Sequence, residues 1–204
     1  MLTEILPSDH PRALPWALEL IQSGAPVAFP TDTVYGLGAS AFNPSAIEGL
    51  YRVKGREASK AVAVLVGNTA DLAKVTGAMS EAAQRLAHKF WPGPLTLVVP
   101  RGAALPLTIS PTGTLGVRMP NHPVALRLLN LSGPLAVTSA NRSGAPSPST
   151  TQEVFEQLDG LIPLILDGGR TPGGQPSTVV DCTGSELVIL RQGPLTLETL
   201  LSTV

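Results

Sequence analysis

"APVAFPTDTVYGLGASAFNPSAIEGLYRV", residues 25–53, sets the architecture in one passage. Its first six residues, 25–30, are an apolar run of strand character. A hydroxyl- and glycine-rich stretch follows, and then Asn43-Pro44 supplies a cap and a first-turn proline ahead of "SAIEGLYRV". Strand, shaped loop and capped helix make one α/β unit, and the pattern recurs outward from it. Residues 61–66, 95–100, 115–120, 135–140, 163–168, 177–182 and 187–193 read as further strands. Several are apolar at consecutive positions, as in strands covered on both faces. Residues 11–23 read as a helix stopped by Gly24; Ser80 precedes "EAAQRLAHKF", Asn121 precedes "HPVALRLLN", and Thr150 with Glu153 makes a capping box before "VFEQL". The alternation predicts a single α/β domain over residues 1–204, with no internal repeat.

Composition narrows the function. The chain has 204 residues, 43% of them hydrophobic, which suits one folded core. Net charge is −1, with 14% charged and 4% aromatic residues, so a broad basic or base-stacking surface is not expected. One cysteine, Cys182, excludes an internal disulfide and a cysteine metal cluster. Glu4 and Asp9 stand where a signal peptide would be basic and then apolar, and no apolar run reaches the ~18 residues of a membrane span; a cytoplasmic protein is expected. Gly and Pro, 20 of each, fall between the apolar runs, which implies rigid loops on a scaffold.

Covalent machinery is poorly represented. His10, His88 and His122 are scattered as surface or capping residues, Cys182 ends an apolar strand as a buried thiol, and no phosphate-loop motif occurs. Cations and hydroxyls are more informative. Arg52, Lys54, Arg56 and Lys60 crowd a helix end, which fits either a solvated terminus or, with Gly55 turning the chain, a paired grip on polyphosphate. Ser139 and Asn141 follow a strand, as a polar turn or a ligand site. Arg118 sits in the apolar run "LGVRMP" and needs an anion, either an internal carboxylate or a ligand. No carboxylate is close to it in sequence. Ser177 and Arg191 repeat the theme, so the residues describe a pocket for an anionic small molecule.

"FPTDTVYGLGA", "VKGR", "FWPGPLTLVV", "GVRMPNHP", "TSANRSGAPSP", "STVVD" and "ILRQG" occur in that order over about Phe29 to Gly193. In this the chain resembles the YrdC-like family, the threonylcarbamoyl-AMP synthases, in its single-domain bacterial form. The resemblance implies a twisted mixed sheet with flanking helices around a positively charged cavity. It implies an adenylyltransferase making threonylcarbamoyl-AMP and pyrophosphate from L-threonine, bicarbonate and ATP, for threonylcarbamoyladenosine in tRNA. Mg²⁺ would be held with the ATP, and a threonylcarbamoyl-transferase complex would take the product. Carried over residue by residue, the signature falls on Lys54, Arg56, Ser139 and Asn141. Threonine would be held at Thr33, Arg118, Ser139 and Ser177, and ATP at Arg56, Lys60, Thr114, Asn141, Ser149 and Arg191. Gly36 and Gly38 would let the backbone close in on the substrate. Relatives often have proline after the Lys-x-Arg arginine and Pro-Leu farther on, where this chain has Glu57 and Ala61-Val62. The rival readings are a double-stranded RNA-binding or ribosome-assembly protein, opposed by a pI near 6.3, and a carbamoyl-transfer domain of hydrogenase-maturation type, found in far longer chains. RNA binding, if any, is expected to be weak.

Overall fold

Strands from both ends of the chain meet in one mixed sheet. The structure, a computed structural model, describes residues 2–55, 62–110, 112–172 and 175–204, so Arg56, Glu57, Lys60 and Ala61 lie outside the described residues. Along the chain the elements are β1 (Glu4–Pro7), α1 (Ala13–Gln22), β2 (Val27–Phe29), β3 (Gly36–Ser40), α2 (Pro44–Lys54), β4 (Ala63–Leu65), α3 (Leu72–Val75) and α4 (Glu81–Phe90). Then follow β5 (Leu95–Pro100), β6 (Thr114–Arg118), α5 (Pro123–Ser132), β7 (Leu135–Ser139), α6 (Thr151–Leu158), β8 (Leu164–Asp167), β9 (Thr178–Asp181), β10 (Val188–Arg191) and α7 (Leu197–Leu201). The strand order is β1-β8-β2-β3-β7-β4-β6-β5-β9-β10. Parallel pairs (β1 and β2 on β8, β4 on β6, β5 on β9) are mixed with antiparallel ones such as β3 on β7 and β5 on β6.

The helix ends follow local chemistry. The Asn43 side chain accepts from the Ala46 amide, and Gly55 closes α2 in the left-handed region at φ 59°. At α5 the cap is His122 rather than Asn121: its Nδ1 accepts from the Val124 amide. Pro123 takes the first helical position, so the capping place falls on the residue directly before it. Thr150 caps α6 as expected, and the Glu153 carboxylate reaches back to the Ser149 amide at 2.6 Å.

Successive strand residues point to opposite faces. Ala28, Leu37, Val64, Leu97, Val117 and Ala136 pack with Ile47 and Leu50 of α2, Leu86 of α4 and Val154 of α6. Phe29, Leu65, Leu135, Val137 and Leu164 pack on the other face with Leu14 and Ile21 of α1 and Leu128 of α5. The glycines of β3 belong to this second layer. A Cβ at Gly38 would come within 2.8 Å of the Phe29 ring, and one at Gly36 within 2.9 Å of Val137. The expectation that these glycines let the backbone close in on substrate is corrected at Gly38, whose space is taken by the Phe29 ring, whereas Gly36, packed against Val137, also lines a cavity on this face.

Candidate active site

The α1/α5 layer ends where β7 and β4 meet, and the same sheet face continues with smaller or polar residues. Ala63 lies two residues before Leu65, and a Cβ on Gly116 would touch both Ala63 and Thr96. With Val98, Arg118, Ser139, Ser177 and Val179 these positions line a cavity of about 380 Å³. That lies within the roughly 300–1,000 Å³ of small-molecule sites. Among the described residues its charged lining is Arg118 and Arg191.

Arg118 ends β6 and is 5% exposed. Its Nε donates to the Gly93 carbonyl at 2.9 Å, Nη1 to Thr33 Oγ1 at 3.0 Å, and Nη2 to Asp32 Oδ1. The sequence offered an internal carboxylate or a ligand as its partner; the internal carboxylate is present, and it is Asp32. Burial pulls the Arg118 pKa down, while Asp32 pushes it back up. Three of five guanidinium protons are thus engaged, leaving one on each terminal nitrogen. The hydroxyls beside it have a definite direction. Thr31 Oγ1 gives its proton to the Val34 carbonyl at 2.7 Å, so across the 3.1 Å contact Thr33 is the donor and Thr31 the acceptor. Thr33 then accepts from Arg118 and keeps one lone pair, so it can receive a proton donor from a ligand.

On the far wall, Arg191 Nε and Nη2 donate to the Ser177 carbonyl at 3.1 and 2.9 Å, and Nη2 also to Ser177 Oγ at 3.1 Å. Ser177 Oγ lies 2.8 Å from Thr96 Oγ1 on the neighbouring strand. Gly193 fixes this wall: a Cβ there would lie 2.2 Å from the Thr178 amide nitrogen. Behind Ser139, Lys54 is 2% exposed, and its Nζ donates to the carbonyls of Ser139 (2.6 Å) and Asn141 (2.5 Å) and to Asn141 Oδ1 (3.2 Å). Both readings of Lys54, a solvated terminus and one half of a grip on polyphosphate, are corrected, because it is buried and its ammonium is taken up by three oxygens of the chain. Its ammonium is folded under the Ser-x-Asn turn and braces it. Asn141 Nδ2 in turn donates to the carbonyls of Arg142 and Ala145.

The cavity gathers Thr33, Arg118, Ser139 and Ser177, with Arg191 beside them. Asn141, Thr114 and Ser149 are not in its lining. Thr114 joins a hydroxyl chain with Thr112 at 2.8 Å, and Ser149 accepts from Arg170 at 3.0 Å. Arg56 and Lys60 lie outside the described residues. Sequence reasoning did not single out Asp32, Thr96 or Tyr35. Tyr35 donates its phenol to the Gly169 carbonyl at 2.7 Å, and burial pushes its pKa to about 12, so it stays protonated as part of the wall. A larger cavity, about 570 Å³, lies by Cys182, Leu187 and Leu197. Its described lining includes Ser80, Ser185 and Glu186 but no lysine or arginine to meet an anion, and burial raises the Cys182 thiol to about 11, well above the range of a reactive thiolate.

The Sua5/YciO/YrdC family model, described as "Telomere recombination", matches residues 19–193. A threonylcarbamoyl-AMP synthase of Pyrococcus abyssi is 45% identical over 89% of this chain and 54% of its own length. One of Bacillus subtilis is 42% identical over 97% of this chain and 58% of its own. The crystal structure of P. abyssi Sua5 complexed with L-threonine superposes with a TM-score of 0.91 at 42% identity, covering 94% of this chain and 57% of that one. The chain thus spans little more than half the length of these relatives.

Proposed function

Because this chain belongs to the Sua5/YciO/YrdC family, we propose that it is an L-threonylcarbamoyladenylate synthase, joining L-threonine, bicarbonate and ATP with release of pyrophosphate. One observation carries the reading: Thr33, Arg118, Ser139 and Ser177, far apart in sequence, converge on one cavity. The substrate carboxylate would take the two remaining Arg118 N–H groups, and the Thr33 lone pair would accept from the substrate's amine or hydroxyl. A threonine amine that has taken up CO₂ as a carbamate is itself a nucleophile toward the α-phosphorus. No serine or cysteine nucleophile is then needed, and catalysis is alignment and charge stabilisation. Arg191 stands where it can meet a second anionic group, with Arg56, Lys60, Thr114, Asn141 and Ser149 assigned to ATP. Lys54 supports this work from behind by holding Ser139 and Asn141 in place.

Among the described residues no group of three His, Cys, Asp or Glu is placed to hold a metal. The proposed Mg²⁺ is one carried by nucleotide phosphates and water, where it would neutralise phosphate charge. Among the described residues no helix is long and apolar enough to cross a membrane. Action in the cytoplasm, and hand-over of the product to a threonylcarbamoyl-transferase, belong to the same proposal.

Pyrophosphate release measured with threonine and bicarbonate omitted in turn tests it. Release should require both, and ATP turnover indifferent to threonine would sink the reading. Arg118→Lys should weaken threonine binding by about ten- to a hundredfold, because charged hydrogen bonds contribute roughly 1.5–3 kcal/mol and a lysine cannot reproduce the fork.

A further inference from the structure

Asp32 touches the Arg118 guanidinium but is not in the lining of the cavity. Its second oxygen, Oδ2, is buried with no hydrogen-bond partner among the described residues. A carboxylate oxygen buried without a partner is costly to keep, and here the other oxygen is engaged by Arg118. A planar guanidinium held at three points cannot rotate about its stem. Two of those points, the Gly93 carbonyl and the Thr33 hydroxyl, are neutral; Asp32 is the charged one and the strongest. We propose that Asp32 is a positioning residue, fixing the plane of Arg118 so that its remaining terminal N–H groups are held ready for the carboxylate of an amino-acid substrate. The substrate class rests on the synthase reading above; the fixing of the guanidinium does not.

The test uses Asp32→Ala, Asp32→Ser and Asp32→Asn in the full chain. Asparagine keeps an acceptor for Nη2, whereas alanine and serine do not reach it. Titration calorimetry should show threonine Kd raised about tenfold or more by the truncations, in line with the cost of misplacing a binding group. The asparagine variant should stay within about threefold of wild type, and ATP Kd should be unchanged in every variant that circular dichroism shows folded. The ¹⁵N spectrum of the ligand-free protein reads positioning directly. Arg118 should show separate, slowly exchanging terminal nitrogens in wild type and Asp32→Asn, and averaged ones in a folded truncation. A folded Ala or Ser variant with wild-type threonine affinity and unaveraged signals overturns the proposal. So does an asparagine variant as impaired as alanine, which would make charge alone decisive. Should neither truncation fold, averaged Arg118 signals in Asp32→Asn overturn it, and separate ones uphold it. If wild type binds no threonine, the synthase reading fails, and the nitrogen spectra still decide the role of Asp32.

Discussion

One face of the sheet carries both a core and a cavity, built by the same alternation of side chains. On the β8-β2-β3-β7 side the outward positions are Leu164, Phe29 and Leu135, over which α1 and α5 close, with Val137 at the boundary, packed in this core and also lining the cavity. On the β4-β6-β5-β9 side they are Ala63, Gly116, Thr96 and Val179, which leave a hollow with Arg118 and Ser177 at its rim. Side-chain size at alternate positions is enough to turn a packing surface into a binding surface. The residues that would be poor core are the ones that make the site.

That contrast can be broken by exchanging sizes. Phe29→Ala should cost about 3–5 kcal/mol of stability in denaturant unfolding, since nothing nearby can fill the space of a fully buried ring. Ala63→Leu, on the same face a few strands away, should leave stability within about 1 kcal/mol, because the added atoms enter a cavity rather than a packed core. It should instead weaken threonine binding tenfold or more, by about 1.4 kcal/mol. An unfolded Ala63→Leu protein would show that the open half is core after all.

A smaller change sharpens the polar side. Thr96→Val keeps the shape and removes the hydroxyl paired with Ser177. Calorimetry should find threonine affinity lowered about five- to tenfold, the worth of one hydrogen bond at ~1 kcal/mol, while Thr96→Ser restores it. The smallest expected effect concerns His122, which caps α5 with an unprotonated Nδ1. Burial lowers its pKa below the ordinary 6.5, with the Asp32 charge opposing. For a depressed pKa the unfolded chain binds the proton first, so the contribution is complete above pH 6.5 and is lost as pH falls through the folded value. His122→Asn keeps a cap and should flatten that decline, seen as a melting temperature less dependent on pH between 6.5 and 5.

The sequence alone carried the α/β class, and β5 was readable to the residue as 95–100 because its apolar run is bounded by Pro-Leu and Pro-Arg. It did not reveal β1, a four-residue strand, or β3, where Gly36 and Gly38 suppress strand character that Phe29 and Val137 then restore by packing. Ordered motifs named Thr33, Arg118, Ser139, Ser177 and Arg191, which line the cavity, together with Asn141, Thr114 and Ser149, which do not; the wiring among them was not legible. Asp32 is 86 residues from Arg118, and only the sheet and its loops bring them together. Lys54 looked like a charge at a helix end because its burial comes from the turn around Ser139–Ser143, which folds over it.

The contacts that define the cavity also set when it can exist. Arg118–Thr33 and Lys54–Ser139 each span 85 residues of chain, Lys54–Asn141 spans 87, and Thr96–Ser177 spans 81. Each must close a long loop before it gains anything, whereas the helices close on themselves within about a microsecond. No short fragment of the chain holds even one of these pairs. Refolding should therefore raise the helical signal first and restore ligand binding only with the last cooperative step, making occupancy of the cavity a clock for completion of the sheet.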